Sequence, residues 1–350
     1  MEERILGRTG LRVRRVGFGG IPIQRLSEDE AVAVVRRCYE LGVNFFDTAR
    51  VYTTSEERMG KALSDVREKV IIATKTAKRT REGLLGDLET SLRNLQTDRI
   101  DLYQLHMVSK EEEWAQIRAL GGALEGLYEA RDAAKIRHLG ITSHNPELLS
   151  EILEEGIFET AMIPFNYLTP RPEERLLPLS KELGVGTIAM KPLGGGALSS
   201  ARAALKYVLQ NEYVDIAIPG IMSVREAEEN IAVGSGETSL TDEELRLMEK
   251  DRAELGNEYC RACDYCKPCP QGIPISFVLR AENQLIRLSG WTPMIVRQIP
   301  DAEMRVASCL RCGECEKRCP YRLPIRELLP VKMNSLLRGL EAQKLAQNTS

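Results

Sequence analysis

Val70-Ile-Ile-Ala-Thr-Lys75, the segment Thr80–Leu95 and Ile100-Asp-Leu-Tyr-Gln-Leu-His106 follow one another in the chain. The outer two are short and rich in Val, Ile and Tyr, and the middle one carries helical spacing, so they read as strand, helix, strand. The same unit recurs outward in both directions. Apolar runs at Val16–Gly19, Asn44–Asp47, Val70–Thr74, Ile100–His106, His138–Thr142, Ala161–Phe165, Gly186–Met190 and Asp215–Ile218 make eight. Helical patterns lie between them at Ala31–Leu41, Thr80–Leu95, Pro146–Glu155, Glu173–Leu183 and Ser199–Gln210. The first is announced by the capping-box signature Ser27-Glu-Asp-Glu30 and stopped by Gly42. Eight βα units of about 30 residues, spread over about 250, predict a closed (β/α)8 barrel rather than an open doubly wound sheet. Ile5–Arg14, with Gly7 and Gly10 at a turn, is expected to form a hairpin that plugs the barrel bottom. Thr241–Leu255, opening with Thr-Asp-Glu-Glu, is expected to be a further helix outside it.

The chain has 350 residues, 43% hydrophobic and 28% charged, which excludes a disordered protein and allows one large domain or two smaller ones. A net charge of −3 argues against nucleic acid as a partner. No apolar run approaches the roughly 18 residues of a membrane span. Met1-Glu2-Glu3-Arg4 opens without a hydrophobic signal region, so a cytoplasmic protein is expected. Near Gly256 the strand-like runs stop and cysteines and prolines take over. We expect a boundary at about residues 255–258, with a barrel over 1–255 and a second domain with a helical tail over 256–350. Charge divides unevenly across it. Gly256–Ser350 holds 14 Lys and Arg against 9 Asp and Glu, a net of +5, and the rest holds 34 against 42, a net of −8.

In a βα barrel the chemistry sits at the strand ends. Here Asn44-Phe-Phe-Asp47-Thr-Ala-Arg-Val-Tyr52 ends the second run, Lys75 the third and His106 the fourth. Together they form a plausible acid–base set. A lysine beside a tyrosine is expected to lower the phenol pKa, an aspartate to keep the lysine charged, and a histidine to orient a carbonyl oxygen. His138 and His144 are read as structural or solvent-facing, and Cys38 as a small buried hydrophobe.

These segments resemble the aldo-keto reductase family. The likeness rests on Asp47-Thr-Ala-x-x-Tyr52, Lys75, Tyr-Gln-Leu-His106 and Gly140-Ile-Thr-Ser-His-Asn145. It continues through Pro164-Phe-Asn166, Pro192-Leu-Gly-Gly-Gly196, Ile218-Pro-Gly220 and Glu229-Asn230. The resemblance implies reduction of an aldehyde or ketone, or oxidation of an alcohol, with Tyr52 as general acid/base, Lys75 and Asp47 tuning it, and His106 positioning the carbonyl. It implies NAD(P)(H) as cofactor. Ser143 and Asn145 would hold the carboxamide, the loop from Gly194 to Gly196 would approach the pyrophosphate, Glu229 and Asn230 would face the adenine, and Lys191, Pro192, Leu193 and Gly220 would complete the cofactor site. Some positions depart from the pattern. Met162 stands where the family commonly has glutamine, and Met190 where it has a ring that stacks on the nicotinamide. Glu226 and Gly220 lie where a basic residue holds the NADP phosphate. An NADP preference is therefore not implied, and NAD(H) or a flavin stays open.

Eight of the nine cysteines fall in two runs, Cys260-x2-Cys263-x2-Cys266-x2-Cys269-Pro270 and Cys309-x2-Cys312-x2-Cys315-x3-Cys319-Pro320. In a cytosolic protein such runs point to metal rather than disulfides. The second matches the bacterial ferredoxin run in spacing, and the first is one residue short before its last cysteine. Two-cluster ferredoxins exchange the fourth ligand. The expected sets are therefore Cys260, Cys263, Cys266 and Cys319 for one [4Fe–4S] cluster, and Cys269, Cys309, Cys312 and Cys315 for the other. Zinc held by the same eight thiolates is the alternative. The long insert Gln271–Ser308 points to a mostly helical variant of the ferredoxin-like domain. A barrel followed by such a domain resembles the aldo-keto reductase subfamily with a C-terminal two-cluster iron–sulfur domain. Two clusters at roughly −2 each nearly cancel the +5 of the C-terminal part.

Two function classes follow. The first is an oxidoreductase acting on a small carbonyl or alcohol, with clusters that exchange electrons with a carrier protein. The second is a redox-sensing or nucleotide-binding protein whose clusters are structural or regulatory. The intact Asp47, Tyr52, Lys75 and His106 set favours the enzyme, because a sensor has no use for a tuned tyrosine.

Overall fold

A computed structural model describes residues 2–286 and 289–348. Ten strands are described: β1 (Glu3–Ile5), β2 (Arg12–Arg14), β3 (Phe18–Gly19), β4 (Phe45–Asp47), β5 (Ile71–Thr76), β6 (Ile100–Leu105), β7 (Ile136–Thr142), β8 (Thr160–Pro164), β9 (Gly186–Met190) and β10 (Ile216–Ile218). β3 to β10 pair in sequence order, each parallel to the next. Bridges Val16↔Ala217 and Gly19↔Gly220 bring the first strand back to the last and close the barrel. The expected (β/α)8 architecture is what the chain adopts. Each strand is short because it carries one side chain inward per two residues, and the barrel interior holds only a few layers.

The hairpin β1–β2 is antiparallel, with Arg4 opposite Val13. Its Leu6 and Val13 are fully buried in one cluster with Phe45, Ala73, Leu102, Met162, Ile188 and Ile216, so it seals the barrel floor. Outside the sheet, the Glu28–Glu40 helix begins with the expected reciprocal cap between Ser27 and Glu30. Thr80, Asn145, Ser200, Ser223 and Thr241 cap later helices through their side chains. Cys38 is buried, and burial pushes its thiol up to about 12, so it acts as a small apolar side chain.

The helix expected over Glu173–Leu183 starts only at Leu176, after a 3-10 turn at Arg171–Glu173. Pro178 explains the shift. A proline has no N–H for an intrahelical bond, so it is accommodated in the first turn and not further inside.

Beyond the Asp242–Leu255 helix the chain is helical and looped. Helices span Ile275–Arg280, Pro293–Ala307, Glu314–Arg318 and Ile325–Asn348, with a π-helical turn at Ala281–Ile286. Their apolar faces form a cluster of their own, in which Ile273, Ile275, Val278, Ile299, Leu329, Met333 and Leu336 surround Cys260, Cys266 and Cys319. Among the described residues no helix is long and apolar enough to cross a membrane.

Two glycines of the hairpin turn test how tightly the floor is packed. Gly7 has φ +50°, and a Cβ there would lie 2.1 Å from the Gly186 nitrogen. Gly10 has φ +73° and nothing within 4 Å. Gly7→Ala should therefore destabilise by about 3 kcal/mol or more, through backbone overlap plus strain. Gly10→Ala should cost only about 1 kcal/mol, from strain alone. Urea unfolding of the two variants checks the order, and equal losses would contradict the plugged floor.

Candidate active site and cysteine loops

Asp47 ends β4, Lys75 lies near the end of β5, and His106 follows β6 with its N–H bonded to Thr76 O at 2.9 Å. Parallel strands deliver all three to one mouth. Lys75 Nζ donates to both Asp47 oxygens at 2.8 and 2.6 Å and to the Thr48 carbonyl at 2.7 Å. Burial draws the two toward their neutral forms, pushing Asp47 up and Lys75 down, and each charge partly offsets the shift of the other. Tyr52 leans over the pair from the loop after β4. Lys75 Nζ lies 5.3 Å from its ring centroid, and His106 meets the ring edge-on at 5.8 Å.

The four residues therefore meet as expected, but the phenol pKa moves the other way. Burial and the Asp47 charge raise it well above the ordinary tyrosine value. The expected lowering by Lys75 fails because that ammonium is already neutralised by Asp47 and stands over the ring face. His106 is held neutral well below 6.5 by burial and by Lys75, Arg79 and Lys191, and its Nδ1 has no partner among the described residues.

A cavity of about 360 Å³ leads away from Asp47, Tyr52 and Lys75. Lys191, Pro192, Leu193, Gly196, Gly220, Glu229 and Asn230 line it. Gly194, Gly195 and Gly196 all have positive φ, from 57° to 84°, a run of left-handed residues that only glycine adopts readily. Gly194, Ser143 and Asn145 do not line the cavity. Ser143 Oγ is engaged with Asn145 and Ser109, and Asn145 Oδ1 accepts from Leu148 N at 3.1 Å and from Tyr265 OH at 2.7 Å.

Several further residues, absent from the expected set, belong to the site. Gln104 donates to Asp47 at 3.2 Å from within the quoted Tyr-Gln-Leu-His segment. Gly19, Gly20 and Pro22, at the end of the first barrel strand, line the cavity. Gly19-Gly20 was a legible signal, since strand ends are where barrels place their sites. His144 is not solvent-facing. It is buried, and its Nε2 lies 2.9 Å from Lys191 Nζ. Burial and the charge of Arg280 bring Lys191 down to about 7. His138 is structural, paired with Glu159 at 2.7 Å.

The cysteine loops repeat one backbone pattern. Ala262 and Asp264 in the first, and Arg311 and Gly313 in the second, have φ between 50° and 79°. Gly272 and Arg322, three residues after Cys269 and Cys319, are also left-handed, and their N–H groups bond to Cys269 O and Cys319 O at 2.9 and 3.0 Å. Alternating handedness of this kind turns successive N–H groups inward, into a nest for negative charge. The Ala262 N–H points at the Cys260 sulfur. Cys269, Cys309, Cys312 and Cys315 line one largely apolar cavity. Cys260, Cys263, Cys266 and Cys319 lie close enough to act on one another electrostatically. Among the described residues no three His, Cys, Asp or Glu close on one point as a single ion requires. Four thiols around one cavity, and four more grouped beside the barrel, fit bodies larger than an ion, such as cubanes. The repeat was also readable in the sequence, in Cys269-Pro-x-x-Ile-Pro-Ile275 and Cys319-Pro-x-x-Leu-Pro-Ile325.

Residues 15–203 match the sequence profile of the Aldo/keto reductase family. The chain belongs to that family. Residues 259–324 match a 4Fe-4S dicluster domain, so this aldo-keto reductase is of the kind that carries a C-terminal iron–sulfur domain. It is 29% identical over 264 residues to the uncharacterized oxidoreductase YqkF of Bacillus subtilis, covering 71% of this chain and 83% of that one. It is 29% identical over 300 residues to L-galactose dehydrogenase of Arabidopsis thaliana, covering 71% and 93%. The aldo-keto reductase AKR11C1 from Bacillus halodurans, in its holo form, superposes with a TM-score of 0.63 at 28% identity, covering 71% of this chain and 96% of that one. The aldo-keto reductase described here is thus an oxidoreductase, and its family implies a small carbonyl substrate and a nicotinamide cofactor.

The neutral histidines give this aldo-keto reductase an acid limit. The folded chain keeps His106 and His144 unprotonated well below 6.5, whereas the unfolded chain takes up both protons as pH falls through that value. Stability present above pH 6.5 is therefore lost below it, at up to about 1.4 kcal/mol per pH unit for each group. The urea midpoint should fall between about pH 7 and about pH 5.5, and fall less in His144→Gln. A midpoint equally pH-sensitive in that variant would contradict the assignment for His144.

Proposed function

We propose that the protein interconverts a small aldehyde or ketone and its alcohol at Tyr52, with two [4Fe–4S] clusters relaying electrons to or from a carrier protein. The observation that carries this reading is the buried Lys75–Asp47 pair beneath Tyr52, with His106 edge-on, at one end of a cavity lined by the glycine turn. A bound nicotinamide supplies or takes up a hydride. In reduction, Tyr52, kept protonated by burial, hands its proton to the carbonyl oxygen as negative charge grows there. Lys75 then faces the phenolate left behind, and the neutral His106 orients the carbonyl oxygen. Asp47 holds Lys75 in place, and Gln104 holds Asp47.

The cofactor end favours NAD(H). Glu226 and Glu229 line the cavity there, and Arg225 is turned onto Glu229 at 2.7 Å, so a 2′-phosphate would meet carboxylates. The thiol sets support Cys260, Cys263, Cys266 and Cys319 as ligands of the first cluster, and Cys269, Cys309, Cys312 and Cys315 as ligands of the second. The first lies against the barrel, where Tyr265 bonds Asn145 and Arg261 donates to Leu168 O at 3.0 Å. A hydride carries two electrons and a cluster one, so a flavin remains the natural intermediary. We divide the chain at residues 255–258, supported by the helix end at Leu255 and the separate apolar cluster beyond it. We assign the protein to the cytoplasm, where such thiols stay reduced.

Tyr52→Phe should lower kcat/KM for carbonyl reduction by about 100-fold or more while leaving cluster absorbance unchanged. Full activity in that variant would remove Tyr52 from the mechanism. Protein prepared without air should contain about eight irons and about eight sulfides per chain. In an anaerobic titration NADH should bind more tightly than NADPH, and the reverse order would overturn the cofactor reading.

A further inference from the structure

The two cysteine sets are not equally placed. Cys260, Cys266 and Cys319 are buried, in loops that bond to the barrel through Tyr265 and Arg261. Cys312 is exposed, and beside it Leu310 keeps 67% of its surface in solvent. Two thirds of this apolar side chain thus lies in water beside an exposed cysteine. Charge around it is one-sided. Of the six Lys and Arg from Arg305 to Arg326, Arg305, Lys317 and Arg326 pair with Asp301, Glu314 and Glu316, while Arg311, Arg318 and Arg322 enter no ion pair among the described residues. A cluster held by four thiolates offsets roughly two of these three charges, so the loaded face keeps about one positive charge. Arg311 and Arg318 turn onto the main-chain carbonyls of Arg326 and Pro268, at 3.2 and 2.8 Å, rather than onto a carboxylate.

We propose that the face around Leu310 and Cys312 is the docking port for an acidic one-electron carrier protein. The partner would present an apolar spot ringed by carboxylates, with its redox group beneath. Such a contact is small and short-lived, as suits a shuttle. The carrier's donor gives up one electron, the second cluster passes from the 2+ to the 1+ state, and no proton or bond changes. The inference rests on the relay reading above and gives it a direction, with the second cluster as the outer terminal and the first as the inner one.

The test uses anaerobic holoprotein in a stopped-flow mixer, with a reduced acidic bacterial ferredoxin as one donor and the methyl viologen radical as the other. Ferredoxin should reduce the clusters at a rate that falls steeply with added salt. Arg311→Asn combined with Lys317→Gln removes two charges from the port, and asparagine suits the φ of +50° at position 311. At low salt this variant should accept electrons from ferredoxin about tenfold more slowly, with iron content and viologen reduction unchanged. Leu310→Ala, which alters no charge, should also slow ferredoxin selectively and serves if the double variant loses iron. Equal ferredoxin rates in wild type and both variants, or no salt dependence, would overturn the port. Carbonyl turnover driven by viologen is followed separately: its absence alongside a ferredoxin-selective defect would leave the port standing and remove the relay.

Discussion

Lys75 and Asp47 lie almost wholly out of solvent, at 1% and 4% exposure, with the ammonium caught between both carboxylate oxygens. A pair this deep is weak evidence for stability, because removing two charges from water costs about as much as their attraction returns. Its effect is geometric. It ties the end of β4 to β5, fixes the loop on which Tyr52 rides, and sets the charge that Tyr52 and His106 experience. With its net charge close to zero, the pair does not acidify the tyrosine. The phenol remains a proton donor and the imidazole remains neutral, which suits a site that protonates an oxygen and then waits to be recharged.

Much of this could be read in advance, and the reasons for the failures are specific. The barrel strands fell within one or two residues of their expected places, since a buried parallel strand writes itself as a continuous apolar run between turn residues. The start of the Leu176–Glu182 helix was missed because proline chemistry outweighs periodicity in a first turn. His144 takes the structural of its two expected roles, and the sequence does not reveal its contact with Lys191, which lies far along the chain. The direction of the Tyr52 shift was missed for a related reason. Residue types revealed which groups met, but the shift depends on which charges had already cancelled. Ser143 and Asn145 show a further limit, for their polar atoms are engaged by Ser109 and Tyr265, and no motif records who arrives from another segment.

Tyr265 is also where the two halves of the chain touch most informatively. It stands between Cys263 and Cys266, and its hydroxyl bonds Asn145, which caps the helix after β7. Arg171 covers its ring at 5.3 Å. Any shift of the first cysteine loop is thus conveyed to the helix beside the barrel mouth. In the other direction, Lys191 feels both Arg280 and Cys260 from within the catalytic cavity. The active site therefore does not end at the barrel rim.

The repeated left-handed residues have one more consequence. Ala262, Asp264 and Arg311 hold a conformation that costs a side-chain-bearing residue about 1 kcal/mol each. Each loop supplies only three of its own four thiols if the fourth ligand crosses over. The two halves of the motif are then interlocked like clasped hands, and neither closes before its twin has been threaded into place. Under the proposed ligand sets each cluster draws its thiols from both runs, so building either one ties the two ends of this domain to each other.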